Sequence, residues 1–191
     1  DVVEKDCGQY DTVTEVMWVT GAALFIRLAD YREVGGLDDH FFAHMEEIDL
    51  CWRLRSRGKK LVCIPQSVVY HVGGATLKKE NPRKTFLNFR NNLLMLYKNL
   101  PDKELEHVLF IRGILDRVAA LVFYLKKDRA NARAVMQARR EFEDIRYSFA
   151  ASRIENIMKS TDEMIPERTH FSILMKYYLL GKKHFSQLKL F

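Results

Sequence analysis

Proline and glycine are scarce in this chain, 4 and 9 of 191 residues. Together with an ordinary charged fraction, that argues against wholesale disorder and low-complexity tracts. Cysteine is rarer still. Cys7, Cys51 and Cys63 are odd in number and lack metal-ligand spacing, which points to reduced, cytosolic thiols rather than a disulfide framework. No uninterrupted apolar run is long enough to span a bilayer, and no signal peptide is recognisable. The first residue is Asp1 rather than Met, so a processed or partial chain is the expectation.

What is present is a core and a surface. Hydrophobic residues make up 48% of the chain, enough to bury a sizeable interior, and the net charge is +6. A basic balance favours anionic partners without choosing among them. Aromatics interleave with lysines in "KYYLLGKKHF", yet no RNA or DNA motif accompanies them, and no nucleic-acid partner is expected.

The texture changes at Pro101. Before it lie the turn signals Gly35-Gly36, Gly58, Pro65 and Gly73-Gly74; after it come only Pro166, Gly113 and Gly181. The first hundred residues therefore read as mixed strands, helices and turns, and residues 101–191 as a helical extension. Glu15 to Arg27 reads as strand, break at Gly21, strand; "KLVCIP" and "SVVYHV" read as short strands around Pro65. "ADYREVGG" reads as a short helix ended by glycines. Glu46 to Arg57 is a predicted helix stopped by Gly58. In the next helix Phe86, Phe89, Leu93, Leu96 and Leu100 form a packing seam at spacings of three and four. Asp102 is a plausible N-cap for a helix to about Lys126. That helix is apolar nearly all round, with Arg112 and Asp116 marking a narrow polar stripe. It is expected either to be buried or to lie at a membrane surface, and Arg112, Asp116 and Arg117 make it a poor spanning helix. Helical pattern continues from Ala130 to about Lys159, and a last amphipathic helix is predicted to stop at Gly181.

The segment "HFFAHMEEIDLCWRLRSRG" carries the sharpest question. At about 100° per residue, Met45, Ile48, Leu50, Cys51, Trp52 and Leu54 form one apolar arc. Glu46, Asp49, Arg53 and Arg57 fall opposite, where an Asp49–Arg53 pair and acids complementing the helix dipole explain them structurally. Glu47 projects onto the apolar arc beside Leu54. Carboxylates seldom lie there without a partner or a task; dipole complementarity is the bland account and the rim of a cleft the functional one. His71, before Gly73-Gly74, is by default a structural strand-end histidine and alternatively a metal ligand. Trp18 is by default a core aromatic. Lys78, Lys79, Arg83 and Lys84 are by default a solvated face, with phosphate binding the alternative.

Taken in order, "WVTGAALFIR" (18–27), "VGGLDDHFFAHMEEIDLCWRLRSRGKKLVCIP" (34–65), "VVYHVGGAT" (68–76) and "FRNNLLMLYKN" (89–99) resemble the family-2 glycosyltransferases, particularly the rhamnosyltransferase-like members. The resemblance covers about the first hundred residues. It implies an α/β chain: the C-terminal part of a GT-A fold over residues 1–100, on the acceptor and catalytic-base side, followed by the helical extension. It implies an inverting transfer from a nucleotide-diphosphate sugar to a glycan or lipid-linked acceptor. Glu47 aligns with the general base, and His71 with a histidine that completes a Mg²⁺ or Mn²⁺ site. Trp18, Gly21, Ala22, Glu46 and Asp49 would line the substrate cleft. The base position carries Glu where the family usually has Asp, and no Asp-x-Asp occurs in the chain, so the donor-binding half is expected to be absent and the chain alone inactive. A homodimer is one expected consequence of the uncovered edges. The alternative reading is a non-catalytic basic helical module that binds an anionic membrane or a protein partner.

Overall fold

The computed structural model describes residues 4–72, 81–161, 165–169 and 173–188. Two short strands, β1 (Thr14–Glu15) and β2 (Val62–Cys63), pair antiparallel, Thr14 opposite Cys63 and Glu15 opposite Val62. The helices are α1 (Leu28–Glu33), α2 (Glu46–Ser56), α3 (Pro82–Asn99), α4 (Asp102–Leu125), α5 (Arg129–Ile145), α6 (Ala150–Met158) and α7 (Ile173–Tyr178). Single 3₁₀ turns lie at Gly21–Ala23 and Asp39–Phe41. The described residues are thus mostly helical, with less strand than expected. Residues 24–27 and 67–72 carry no strand. Their β-branched and aromatic side chains, among them Phe25, Val68, Tyr70 and Val72, stand exposed with no partner strand among the described residues. The expected Gly73-Gly74 turn and Lys78 and Lys79 lie outside the described residues.

Helix α3 is the centre of the molecule. Asn81 caps it, accepting from the Arg83 N–H, and Pro82 occupies its first turn, where the missing N–H costs nothing. The predicted seam is too narrow a description. Leu87, Asn91, Leu93, Leu94, Met95, Tyr97, Lys98 and Asn99 are all buried, because α2, α5 and α6 pack around α3. The main core joins Phe41, Trp52, Leu93, Leu94, Leu105, Leu109, Phe142 and Phe149, and so draws on both sides of Pro101. Each fully buried leucine there contributes about 1.5–3 kcal/mol. A second cluster, Val34, Leu50, Cys51, Leu54 and Leu61, fixes α2 against β2 and the 16–26 segment.

Helix α2 is buried beyond its apolar arc. Asp49 and Arg53 were expected on a solvent face, and both are buried. Neighbouring segments supply their partners. Arg53 Nε donates to Asp49 at 3.0 Å, and the guanidinium also donates to the carbonyls of Val34 and Gly36. Lys98 Nζ and Asn99 Nδ2 reach the same carboxylate at 3.0 and 2.7 Å. Arg53 thereby ties α2 to the Gly35-Gly36 turn, both of whose glycines have positive φ.

Helix α4 is turned the opposite way to its sequence pattern. Its polar stripe faces inward: Asp116 is buried between Arg112 and Arg139, each 2.8 Å away. The small Gly113 lets the Arg139 guanidinium approach. Most of the apolar side chains therefore face outward. No described helix is long and apolar enough to cross a membrane.

Candidate active site

The chain enters α2 through backbone that L-residues rarely adopt. Phe42, His44 and Met45 have φ of 61°, 70° and 74°. Met45, the residue before α2, is left-handed and makes no side-chain cap. Three such residues in four cost on the order of 1–3 kcal/mol each, so the loop needs external support. The support comes from "FRNN" on α3. The Asn91 side-chain amide lies 2.8 Å from the carbonyl oxygens of Phe41, Ala43 and His44. Arg90 donates to the His40 carbonyl and to Glu141 of α5, both at 2.8 Å. Below the loop, Lys98 bridges Asp38 and Asp49 at 2.7 and 3.0 Å.

The supported loop delivers His44, Glu46 and Glu47 together. All three are half-buried. Each has one inward polar atom without a partner in the described structure: His44 Nε2, Glu46 Oε2 and Glu47 Oε2. Burial pushes the Glu47 carboxyl above its ordinary value. Its own backbone N–H opposes that, Glu46 adds to it, and a charged His44 would oppose it. A buried, unpartnered carboxylate is costly in a purely structural role, and a carboxyl raised toward neutrality is suited to exchanging protons.

Gly21 joins this group from an earlier segment of the chain. A Cβ built on Gly21 would stand 3.8 Å from the Glu47 Cβ, so the 3₁₀ turn at Gly21–Ala23 lies against the start of α2. Thr20 caps the turn and leaves Gly21 and Ala22 exposed. The structure thus brings the Gly21 turn to Glu47. Trp18, 46% exposed, lines a trough of about 780 Å³ with Leu24, Ile26, Leu54 and Leu61; Glu47 is not in its wall. Asp49 is fully buried and its carboxylate is occupied by Arg53, Lys98 and Asn99. It holds α2 in place and is not open to a ligand.

His71 is exposed and makes no hydrogen bond to the described residues. Among those residues no three His, Cys, Asp or Glu side chains could hold a metal ion together. His71 supplies a single imidazole with no His, Cys, Asp or Glu cluster beside it among the described residues. Two contributors escaped the sequence reading. His44 carries no sequence signal, because its left-handed backbone is not visible in residue type. Asn91 has a signal only in the Arg-Asn pair of α3, whose acceptors lie about fifty residues earlier.

Comparison with known proteins bears on this arrangement. The chain is 31% identical over 141 residues to the pre-mycofactocin glycosyltransferase of Mycobacterium tuberculosis, covering 68% of this chain and 29% of that protein. It is 38% identical over 56 residues to the N-acetylglucosaminyl-diphospho-decaprenol L-rhamnosyltransferase of the same species, 29% of this chain and 18% of that one. It is 33% identical over 69 residues to the rhamnosyltransferase WbbL of Escherichia coli, 36% and 25% of the two chains.

The chain is similar to glycosyltransferases. It spans less than a third of the length of the curated relatives it matches. No family model and no solved structure matches it.

Proposed function

We propose that this chain is the acceptor-side part of an inverting family-2 glycosyltransferase of GT-A type, with Glu47 as the general base. The observation that carries the reading is the Glu47 carboxylate. It is half-buried, unpartnered at Oε2, raised in pKa, and set beside the exposed Gly21-Ala22 turn. An acceptor hydroxyl held over that turn would lose its proton to Glu47 as its oxygen bonds to the anomeric carbon. The bond from that carbon to the diphosphate breaks on the opposite face, and the nucleoside diphosphate leaves with the electron pair. Glu46 raises the basicity of Glu47 through like charge. Asn91, Arg90 and Lys98 keep the loop from collapsing over the site. A divalent ion, if the reaction uses one, would neutralise the leaving diphosphate.

The names of the relatives support a substrate class. Two are named rhamnosyltransferases and one takes a diphospho-decaprenol acceptor by name. That supports a deoxysugar donor such as a nucleotide-linked rhamnose, a lipid-linked glycan acceptor, and a place in surface polysaccharide synthesis.

The test is a pair of substitutions in the full-length protein that carries this chain. Glu47→Gln keeps size and polarity but cannot accept a proton, and should lower kcat by roughly 10²–10⁴-fold with donor affinity unchanged. Glu46→Gln should cost far less. Loss of turnover in Glu46→Gln with Glu47→Gln intact would put the base one residue earlier.

A further inference from the structure

The outward face of α4 is apolar for about four turns. Phe110, Ile114, Val118, Leu121 and Leu125 recur at spacings of four, four, three and four, and are between 51% and 70% exposed. Such spacing places them in one stripe. Contiguous apolar surface on this scale marks an interaction site. The buried Asp116–Arg139 pair fixes this orientation, because rotating the stripe inward would drive Asp116 into solvent and leave Arg139 without its carboxylate.

Helix α5 follows α4 after three residues and packs along it. Its own outward stripe is basic: Arg129, Arg133 and Arg140 share one exposed face at spacings of four and seven. At the corner between the helices stand Lys126 and Lys127, also exposed. None of these five cations forms an ion pair with a described carboxylate. The one acid at that corner, Asp128, is turned to Asn131, accepting from its backbone and side-chain N–H groups. Tyr124 is 56% exposed with the Arg129 guanidinium 5.8 Å from its ring centroid, an amphipathic pair suited to a headgroup layer. The acids of this surface gather at the other end, Asp102 and Glu106 on α4 and Glu143 and Asp144 on α5.

We propose that the α4–α5 face is an interfacial docking surface for anionic lipid bilayers. The α4 stripe enters the headgroup and upper acyl region, and the Lys126–Arg133 corner leads, with the acidic end tilted away. Apolar area and unpaired cations on one face are what an interfacial helix needs. The unpaired cations of this face match an anionic bilayer, whereas a second copy meeting it in parallel would bring two cation rows together; an antiparallel copy, basic end on acidic end, is the dimer that the experiment below looks for. The inference stands apart from the transferase reading and is tested without turnover.

The experiment is vesicle flotation with the full chain, using phosphatidylcholine alone and phosphatidylcholine mixed with phosphatidylglycerol. Binding to the mixed vesicles, weakened by salt and poor on the neutral ones, is expected. Ile114→Asp with Leu121→Asp, both exposed and confirmed folded by circular dichroism, should abolish it. Lys126→Gln with Lys127→Gln should weaken it by roughly 30-fold, from about 1 kcal/mol per charge near an anionic surface. Three results would overturn the proposal: no binding to the mixed vesicles; binding that survives the two aspartates, showing that basic charge alone suffices; or a dimer in sedimentation that the aspartates disperse, without vesicle binding, showing that the occupant is a second copy.

Discussion

The side-chain amide of Asn91 lies 2.8 Å from the carbonyl oxygen of His44, across 47 residues of sequence. The same amide also serves Phe41 and Ala43, so a single side chain on α3 pins the loop that presents Glu47. Asn91→Ala should orphan those carbonyls and release the left-handed residues around them. A loss on the order of 3 kcal/mol is expected, read as a lower urea midpoint at unchanged slope. Asn91→Asp should be at least as damaging, because a carboxylate repels the same three carbonyls. A change under about 0.5 kcal/mol in Asn91→Ala, the size of an ordinary surface substitution, would mean that the loop holds itself.

Lys98 is the second support. It is buried between Asp38 and Asp49 and lies 5.0 Å from the Phe41 ring centroid. Lys98→Met keeps the length and removes the charge; Asp49 keeps Arg53 and Asn99, so the loss falls mainly on Asp38 and should be about 1–3 kcal/mol. The pH dependence follows from Asp38. Burial works to raise its pKa, but the Lys98 bond and charge, helped by His40, outweigh it and hold the carboxyl at about 2. A depressed folded pKa means stabilisation that is full above the unfolded value and fades as pH falls from about 4 toward about 2. The loss should be about 1–2 kcal/mol once screening at its exposed edge is allowed for. Asp38→Asn should flatten that part of the stability curve, as followed by thermal melts across the acid range.

How much of this was legible follows from where the signals live. Helices α1 to α4 could be read because helical period and glycine stops are local; the cap expected of Asp102 is not made, since Pro101 precedes α4 without a side-chain cap and Asp102 is its first residue. Glu47 was conspicuous because an acid on an apolar arc is a local contradiction. The strands were over-read: the sequence around Phe25 and Tyr70 is β-rich, but a strand also needs a neighbour, and the described residues offer none. Asp49 and Arg53 read as a surface pair because nothing in α2 announces Lys98 and Asn99 arriving from α3. The facing of α4 was hidden similarly. Arg112 and Asp116 look like a solvent stripe until Arg139, from another helix, claims Asp116 for the interior.

The two glycines of the 35–36 turn should behave differently. Both have positive φ, but a Cβ at Gly36 would stand 2.9 Å from the Tyr31 ring, whereas at Gly35 nothing lies within 4 Å. Gly35→Ala should therefore cost only the left-handed backbone, about 1 kcal/mol. Gly36→Ala should cost about 1–3 kcal/mol more, because Tyr31 must move and its hydroxyl accepts from the Leu37 N–H. Chemical denaturation of the two variants side by side makes the comparison. Equal losses would show that the ring relaxes freely.

Glu47 should leave opposite marks on stability and on rate. Its folded pKa is raised, chiefly by burial, so the folded state prefers the neutral acid. Ionising it carries a stability penalty that is absent below the unfolded pKa and in full force above the folded one. Glu47→Gln should therefore make the protein more stable at neutral pH while removing the base, the trade expected of a residue kept for function. The rate should show the same pKa from the other side: a base works only when deprotonated, so the acidic limb of kcat/KM should fall above the ordinary glutamate range, near 4.3. Glu46→Gln removes a like charge and should move that limb to lower pH. Where His44 is charged it opposes the rise, so His44→Gln should move the limb upward. Paired melts and pH–rate profiles of the three variants would check the assignment. A Glu47→Gln protein that is both less stable at neutral pH and fully active would overturn it, because Glu47 would then be a structural acid whose Oε2 partner lies elsewhere.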